Sequence, residues 1–180
     1  MIRKERKNRG GEARISGGVF RGRKIKTPGA GTHPMGERER LALFNMIADL
    51  LDSAMVLDAY AGSGALGIEA LSRGAAKVVF VEKNRAAAGV ISDNLSLLGA
   101  SGEVVVYDAA KYESDLAFDL ILADPPYDAF ELDGVINLSR VLKDGGVLAL
   151  SHPSEAPMVP GLQLEKSRTY AGATISIYRK

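Results

Sequence analysis

The sequence contains no cysteine and only two histidines, His33 and His152. Without cysteine, disulfides, thiolate zinc sites and a cysteine nucleophile drop out together. Two histidines are too few for a multi-histidine metal site, so no metal is expected. No apolar run approaches the roughly 18 residues needed to cross a membrane. The N-terminus is charged rather than apolar and does not read as a secretory signal. These absences fit a cytoplasmic location. The 180 residues fit one domain with a small appendage, and 46% hydrophobic with 25% charged residues is the balance of a globular chain.

The net charge of +1 hides an asymmetry. Residues 1–26 carry ten Lys or Arg against two Glu, a local +8, which leaves −7 on the rest. A basic arm on an acidic body suits contact with phosphate. For residues 1–11 a solvated tail explains the charge equally well. From Arg14 to Lys26 apolar residues alternate with the charges, which favours a folded segment. Two short strands are expected there, Arg14–Phe20 and Arg23–Lys26, around a turn at Arg21-Gly22. The division expected is an arm and hairpin over 1–34 and a main domain over 35–180.

A breaker-rich loop, Thr27 to Pro34, precedes a helix expected over Met35–Leu51, with Leu43, Phe44, Ile47, Leu50 and Leu51 on one face. Strands and helices then alternate. The pattern predicts strands at Met55–Ala59, Lys77–Val81, Glu103–Tyr107, Phe118–Ala123 and Val147–Leu150. It predicts helices at Ala65–Arg73, Asn84–Leu98 and Ala129–Leu142, the last leaving through Asp144-Gly145-Gly146. Gln163–Arg168 and Thr174–Tyr178 read as a closing antiparallel pair. Such alternation with apolar strands means an α/β fold with a parallel sheet covered on both faces. Ligands in such sheets bind beyond the carboxyl ends of the strands. Functional residues should therefore sit just after strands.

Two motifs do. Asp58-Ala-Tyr-Ala-Gly-Ser-Gly64 follows the first sheet strand and opens a helix. Gly62 and Gly64 allow a tight turn and close approach to a ligand, and helix-start amides line the cradle. Dinucleotide loops usually read G-x-G-x-x-G and lack the strand-end acid; Asp58 suits a cationic group such as the ammonium of a methionine moiety. Glu82 ends the next strand, where a carboxylate can accept from both ribose hydroxyls. Asp108 is placed to accept from an adenine amine beside the Ala109 amide, or to cap the segment that follows.

Asp124-Pro125-Pro126-Tyr127 follows the fourth strand. An aromatic amine is a weak nucleophile because its lone pair is delocalised into the ring. Acceptors at its hydrogens, the Asp124 carboxylate and the Pro125 carbonyl, direct that lone pair at a methyl group. Two prolines fix the backbone, and Tyr127 offers a ring on which a base can stack. On its own, D-P-P can be a rigid turn with Asp124 as a cap. Beside D-x-x-x-G-S-G it points to methylation of an exocyclic base amine by S-adenosylmethionine, with the base extruded into the pocket.

With both motifs in place the chain resembles the bacterial small-subunit ribosomal RNA guanine-N2 methyltransferases, the RsmD family. The likeness spans most of the chain: Arg14-Ile-Ser-Gly-Gly-Val-Phe-Arg-Gly-Arg-Lys-Ile25, Glu37-Arg-Glu-Arg-Leu-Ala-Leu-Phe-Asn45, the segment from Asp58 to Arg73, and Asp124 to Tyr127. The arm motif is its most specific part. The resemblance implies a Rossmann-like class I methyltransferase with a seven-stranded, mostly parallel sheet and an N-terminal hairpin that grips RNA. It implies catalysis by Asp124, Pro125, Pro126 and Tyr127. Cofactor contacts are expected from Asp58, Tyr60, Ala61, Gly62, Ser63, Gly64, Glu82, Lys83, Asp108 and Ala109. RNA contacts are expected from Arg14, Arg21, Arg23, Lys24, Arg38 and Arg40. The substrate implied is one guanine of 16S ribosomal RNA, within an assembled or nearly assembled subunit, and a monomer is the default state. The chain departs from the family at His33-Pro34, where arginine usually precedes the proline. It departs again at Met35-Gly36-Glu37, where the family has Thr-Ser/Thr-Asp; Gly36 gives up a cap side chain.

Three other functions fit these residues less well. DNA adenine-N6 methyltransferases also use D-P-P-Y, but 180 residues leave no room for a separate DNA-recognition domain. A non-catalytic RNA-binding assembly factor has no need of Asp124 and Tyr127. A nicotinamide oxidoreductase calls for hydride-transfer residues, and no Tyr-x-x-x-Lys pair sits at a suitable strand end.

Overall fold

A computed structural model describes residues 10–29, 35–170 and 173–180. The elements in chain order are β1 (Glu12–Arg14), β2 (Lys24–Lys26), α1 (Glu37–Met46), β3 (Met55–Ala59), α2 (Ala65–Ser72), β4 (Lys77–Val81), α3 (Arg85–Leu98), β5 (Glu103–Val105), β6 (Phe118–Ala123), α4 (Leu132–Ser139), β7 (Leu142–His152), β8 (Gln163–Tyr170) and β9 (Ala173–Arg179). β1 and β2 form an antiparallel pair. The other seven strands make one sheet in the order β5-β4-β3-β6-β7-β9-β8. β3 to β7 are parallel, and β9 pairs antiparallel with both β7 and β8. The strand order reverses between β3 and β6, which is where a ligand crevice belongs.

Side chains alternate across a strand, so each buried strand feeds two cores. Val56, Phe80, Leu122 and Ala149 face a layer holding Phe44 of α1, Ile68 of α2 and Ile91 of α3. Leu57, Val81, Ala123 and Leu150 face Val135 and Leu138 of α4. The register sets Asp58 beside Phe80 on one side and Leu122 on the other. Two residues further on, Glu82 and Asp124 fall on the same face. Parity alone therefore directs all three carboxylates toward the α1–α2–α3 side, at the carboxyl ends of adjacent strands.

The hairpin belongs to that same layer. Ile15 and Ile25 are each 1% exposed and pack in the core with Phe44 and Leu66. Burying two isoleucines contributes about 1.5–3 kcal/mol each, which anchors the strand pair against fraying. Sequence reasoning placed a strand over Arg14–Phe20, but β1 ends at Arg14. Beyond it the chain turns down onto α2 with Gly18 at φ +73°. The Val19 amide donates to the Ser72 carbonyl (2.8 Å) and the Phe20 amide to Ser72 Oγ (2.9 Å). The backbone groups expected to pair across a hairpin are spent on a helix C-terminus instead.

Other boundaries shift for local reasons. The helix expected over Met35–Leu51 is α1 plus a 3-10 turn at Ala48–Leu50. Its cap position is Gly36, with no side-chain cap, while Glu37 and Glu39 complement the dipole in the first turn. The expected strand Glu103–Tyr107 stops at Val105. The expected helix Ala129–Leu142 divides into a 3-10 turn, Tyr127–Ala129, and α4. Asp144-Gly145-Gly146 is no helix exit. It lies inside β7, where the register jumps from Phe118–Leu142 to Leu120–Val147 and Gly145 takes φ +76°. That is a bulge built on glycine. α3 matches its sequence signals: Asn84 Oδ1 caps the amides of Ala86 and Ala87 at 2.9 and 3.1 Å, and Gly99 ends the helix at φ +65°.

Candidate active site

The carboxyl ends of β3, β4 and β6 open into a cavity of about 740 Å³, within the roughly 300–1,000 Å³ of small-molecule sites. Asp58, Glu82, Asp108 and Asp124 all border it. So do Tyr60, Ala61, Gly62, Ser63, Lys83, Ala109, Pro125, Pro126 and Tyr127. Of the residues expected from sequence at the cofactor and catalytic positions, Gly64 alone does not line it. Gly64 sits behind the loop at φ +78°, packed on Ile91 and Phe80, and begins α2.

The glycine loop is built by backbone geometry. Tyr60 takes φ +62°, uncommon for a residue with a side chain and a strain of about 1–3 kcal/mol. Gly62 follows at φ +55°. The Ala61 amide donates to the Val81 carbonyl at 3.0 Å, fastening the loop to β4. At Gly67 an added Cβ would lie 2.3 Å from the Phe80 ring, so only glycine lets α2 approach the sheet this closely. Burial, then the Asp108 and Glu131 charges, push the Tyr60 hydroxyl up to about 12.

The carboxylates at the strand ends differ in what remains free. Asp58 Oδ2 accepts from the Gly67 amide at 2.8 Å. Its Oδ1 is buried without a partner among the described residues. Burial holds the Asp58 carboxyl well above the usual range, against the Gly67 bond, and the Asp124 and Glu82 charges add to the rise. An orphaned oxygen on a cavity wall is the feature a cationic ligand group would satisfy. Glu82 is aimed by two loops: Oε2 accepts from the Gly62 amide of the glycine loop and Oε1 from the Asn84 amide of its own, both at 2.8 Å. Each oxygen keeps lone-pair capacity for a hydroxyl. Asp108 Oδ1 caps Ala110 at 3.1 Å, so the capping role weighed from sequence is real, and the second oxygen is left for a ligand.

Asp124 is partly buried at the end of β6, and burial pushes its carboxyl up to about 6 against the opposing pull of the nearby Ser151 hydroxyl and Met35 amide. The Tyr127 hydroxyl also bonds Ser151 Oγ. Ser151, Met35, Glu39, Thr27, Pro28 and Ala173 are site residues that sequence reasoning missed. Ser151 carried a usable signal, since it ends an apolar strand as Asp124 does. Thr27 and Pro28 carried none, because nothing local says that a loop folds back over a distant sheet.

The expected RNA contacts separate into two groups. Arg14, Arg21, Arg23, Lys24 and Arg38 are exposed. Arg23 donates to the Leu97 carbonyl at 3.1 Å, and Lys24 pairs with Glu12 at 2.7 Å. Arg40 is a correction. It is 2% exposed, and burial lowers its affinity for its proton against the pull of Glu69 and Glu37. It lies 3.7 Å from Glu69 and donates to the Arg14 carbonyl, so it ties α1 to α2 and the hairpin, and it lines the cavity instead of standing on the exposed surface with the other five. His33 lies outside the described residues.

The family described as Conserved hypothetical protein 95 matches residues 13–179. The chain belongs to that family. A family relative, Ribosomal RNA small subunit methyltransferase D of Escherichia coli K12, is 36% identical over 174 residues, covering 94% of this chain and 84% of the relative. The protein of the same name from Haemophilus influenzae is 32% identical over 163 residues, 84% of each chain. The solved Escherichia coli protein yhhF superimposes with a TM-score of 0.85 at 34% identity, over 94% of this chain and 98% of that one. The Thermus thermophilus 16S rRNA N2 methyltransferase RsmC, solved with AdoMet and guanosine, shares the fold: TM-score 0.69, 22% identity, 96% of this chain and 50% of that one. The family is thus the one that the arm, glycine-loop and D-P-P-Y segments resemble, and the fold is that of the class I methyltransferases. Among the described residues no helix is long and apolar enough to cross a membrane.

Proposed function

We propose that this chain transfers the methyl group of S-adenosylmethionine to the exocyclic N2 amine of a guanine in small-subunit ribosomal RNA. One observation carries the reading: the partnerless oxygen of Asp58 and the carboxylate of Asp124 border one cavity, a cation site and an amine site side by side. The names of its family relatives support ribosomal RNA as the substrate.

Bound S-adenosylmethionine supplies a methyl group already activated on a sulfonium. The chain has to hold, align and exclude water. Asp58 Oδ1 receives the ammonium, Glu82 both ribose hydroxyls, and Asp108 with the Ala109 amide the adenine edge. Asp124 and the Pro125 carbonyl accept the two hydrogens of the target amine and aim its lone pair. The Tyr127 ring stacks the extruded base, an interaction of about 1–3 kcal/mol. Alignment of reacting atoms within roughly 3–3.5 Å then provides most of the acceleration. Asp124 can take the proton that the alkylated nitrogen sheds. With a carboxyl near 6, it returns that proton to water at neutral pH.

The exposed Arg14, Arg21, Arg23 and Lys24 of the hairpin and Arg38 of α1 contact phosphates. The arm over 1–34 and the domain over 35–180 act together, as one copy, on a small subunit or its late precursor in the cytoplasm. Calorimetric titration tests the cofactor half: S-adenosylmethionine binds and NAD does not. Binding of NAD alone would return the oxidoreductase reading.

A further inference from the structure

Ser151 serves no cofactor contact in the reading above, yet it is among the best-placed side chains in the molecule. It is 1% exposed, on β7. The register pairs Ala123 of β6 with Leu150 of β7, so one step on, Asp124 and Ser151 stand side by side on the same face. The hydroxyl of Ser151 meets the Tyr127 hydroxyl and stands beside the Asp124 carboxylate, whose raised proton affinity it opposes.

A serine hydroxyl has one hydrogen, and an ionised carboxylate only accepts. The direction of the chain follows. A Ser151 hydroxyl turned toward the carboxylate spends its one hydrogen there, which leaves Tyr127 as the donor to Ser151 Oγ. Tyr127 has little else to hold it. It opens a 3-10 turn that has no side-chain cap, and among the described residues its hydroxyl makes no other hydrogen bond. The backbone of Pro125 and Pro126 fixes where the turn begins, but the ring can still rotate about its side-chain torsions.

We propose that Ser151 is a positioning residue of methyl transfer, holding the Tyr127 ring and the Asp124 carboxylate in one arrangement about the target base. The β7 strand, paired on β9 at Ile175, is the rigid support. Stacking surface and amine acceptor are thereby set by a single atom, Ser151 Oγ. Without that atom the ring and the carboxylate lose their common reference.

The inference rests on Asp124 and Tyr127 serving the base as proposed above. The test is single-turnover methyl transfer to small-subunit RNA at saturating S-adenosylmethionine. The variants are Ser151→Ala, Ser151→Thr, Tyr127→Phe, the Tyr127→Phe/Ser151→Ala double and Asp124→Ala, each checked by melting temperature and by cofactor titration. Ser151→Ala should lose about 10- to 100-fold in rate, the scale of a displacement near 1 Å, with cofactor affinity within twofold. Ser151→Thr, which keeps the hydroxyl, should recover most of the rate. The double variant should be no slower than Ser151→Ala, because both changes cut one chain. Wild-type rates from Ser151→Ala, independent multiplying losses in the double variant, or a loss carried by cofactor affinity would each overturn the proposal. Should Ser151→Ala fail to fold, Tyr127→Phe at the wild-type rate would overturn it by itself. Full activity in Asp124→Ala would instead bring down the underlying reading, a distinguishable failure.

Discussion

Replacing Glu69 with glutamine should loosen the hairpin from the domain beneath it. The Glu69 carboxylate is fully buried on α2. Oε2 accepts from the Ser16 amide at 2.8 Å and faces Arg40 Nε at 3.7 Å; Oε1 accepts from Ser16 Oγ at 2.7 Å and Arg73 Nε at 2.8 Å. Glutamine has one acceptor oxygen, so in either orientation its amide nitrogen opposes an N–H donor. Arg40, itself buried, then holds a charge without its counter-ion. Removing one partner of a buried pair costs about 3–5 kcal/mol. For a chain of this size 1 kcal/mol moves the midpoint by roughly 2–4 °C, so Glu69→Gln should melt about 6–20 °C lower. The assay is thermal unfolding followed by circular dichroism. Glu165→Gln is the control, because its pair with Arg179 is partly exposed and worth about 1 kcal/mol or less. A midpoint for Glu69→Gln no lower than that of the control would refute the burial argument.

Other expectations follow from the same geometry. Asp124→Ala should abolish transfer and leave cofactor affinity within a few-fold; turnover at the normal rate removes Asp124 from the base. The transfer rate should fall as pH drops through about 6, because burial raises the Asp124 carboxyl and only its ionised form accepts both amine hydrogen and product proton. A rate that is flat from about pH 4 to about pH 8, roughly two units to either side of that value, denies the assignment. Glu82→Ala should weaken S-adenosylmethionine binding by about 100-fold or more, since two charge-assisted bonds at about 1.5–3 kcal/mol each are lost; superimposable calorimetric curves contradict it. Charge reversal at Arg21, Arg23 and Lys24 together should weaken RNA binding and flatten its salt dependence. An unchanged salt slope assigns these residues to solvent.

The chemistry was legible in the sequence to the extent that it lies at strand ends. Asp58 lies at the carboxyl end of an apolar strand and Glu82, Asp108 and Asp124 just after one, and the parallel arrangement brings such ends together whatever the loops do. The sheet strands at Met55–Ala59, Lys77–Val81 and Phe118–Ala123 match their hydrophobic runs because both faces are buried. Long-range packing was not legible. The Gly17-Gly18 segment looked like strand because its amides had to pair somewhere, and only the fold reveals Ser72 as the partner. The resemblance sets Arg40 at the RNA site, and nothing nearby in sequence announces its burial on Glu69, 29 positions on. That packing also changes an experiment. Removing residues 1–26 would take Ile15 and Ile25 out of the core, so point substitutions of the exposed arginines test RNA contact more cleanly.

The most direct test is methyl transfer from labelled S-adenosylmethionine to undermethylated small ribosomal subunits, naked 16S RNA and DNA side by side, with products digested to nucleosides. The account predicts label in N2-methylguanosine from the ribosomal substrate. Label in N6-methyladenine from DNA, or no transfer to any of the three by a protein that still binds the cofactor, would contradict it.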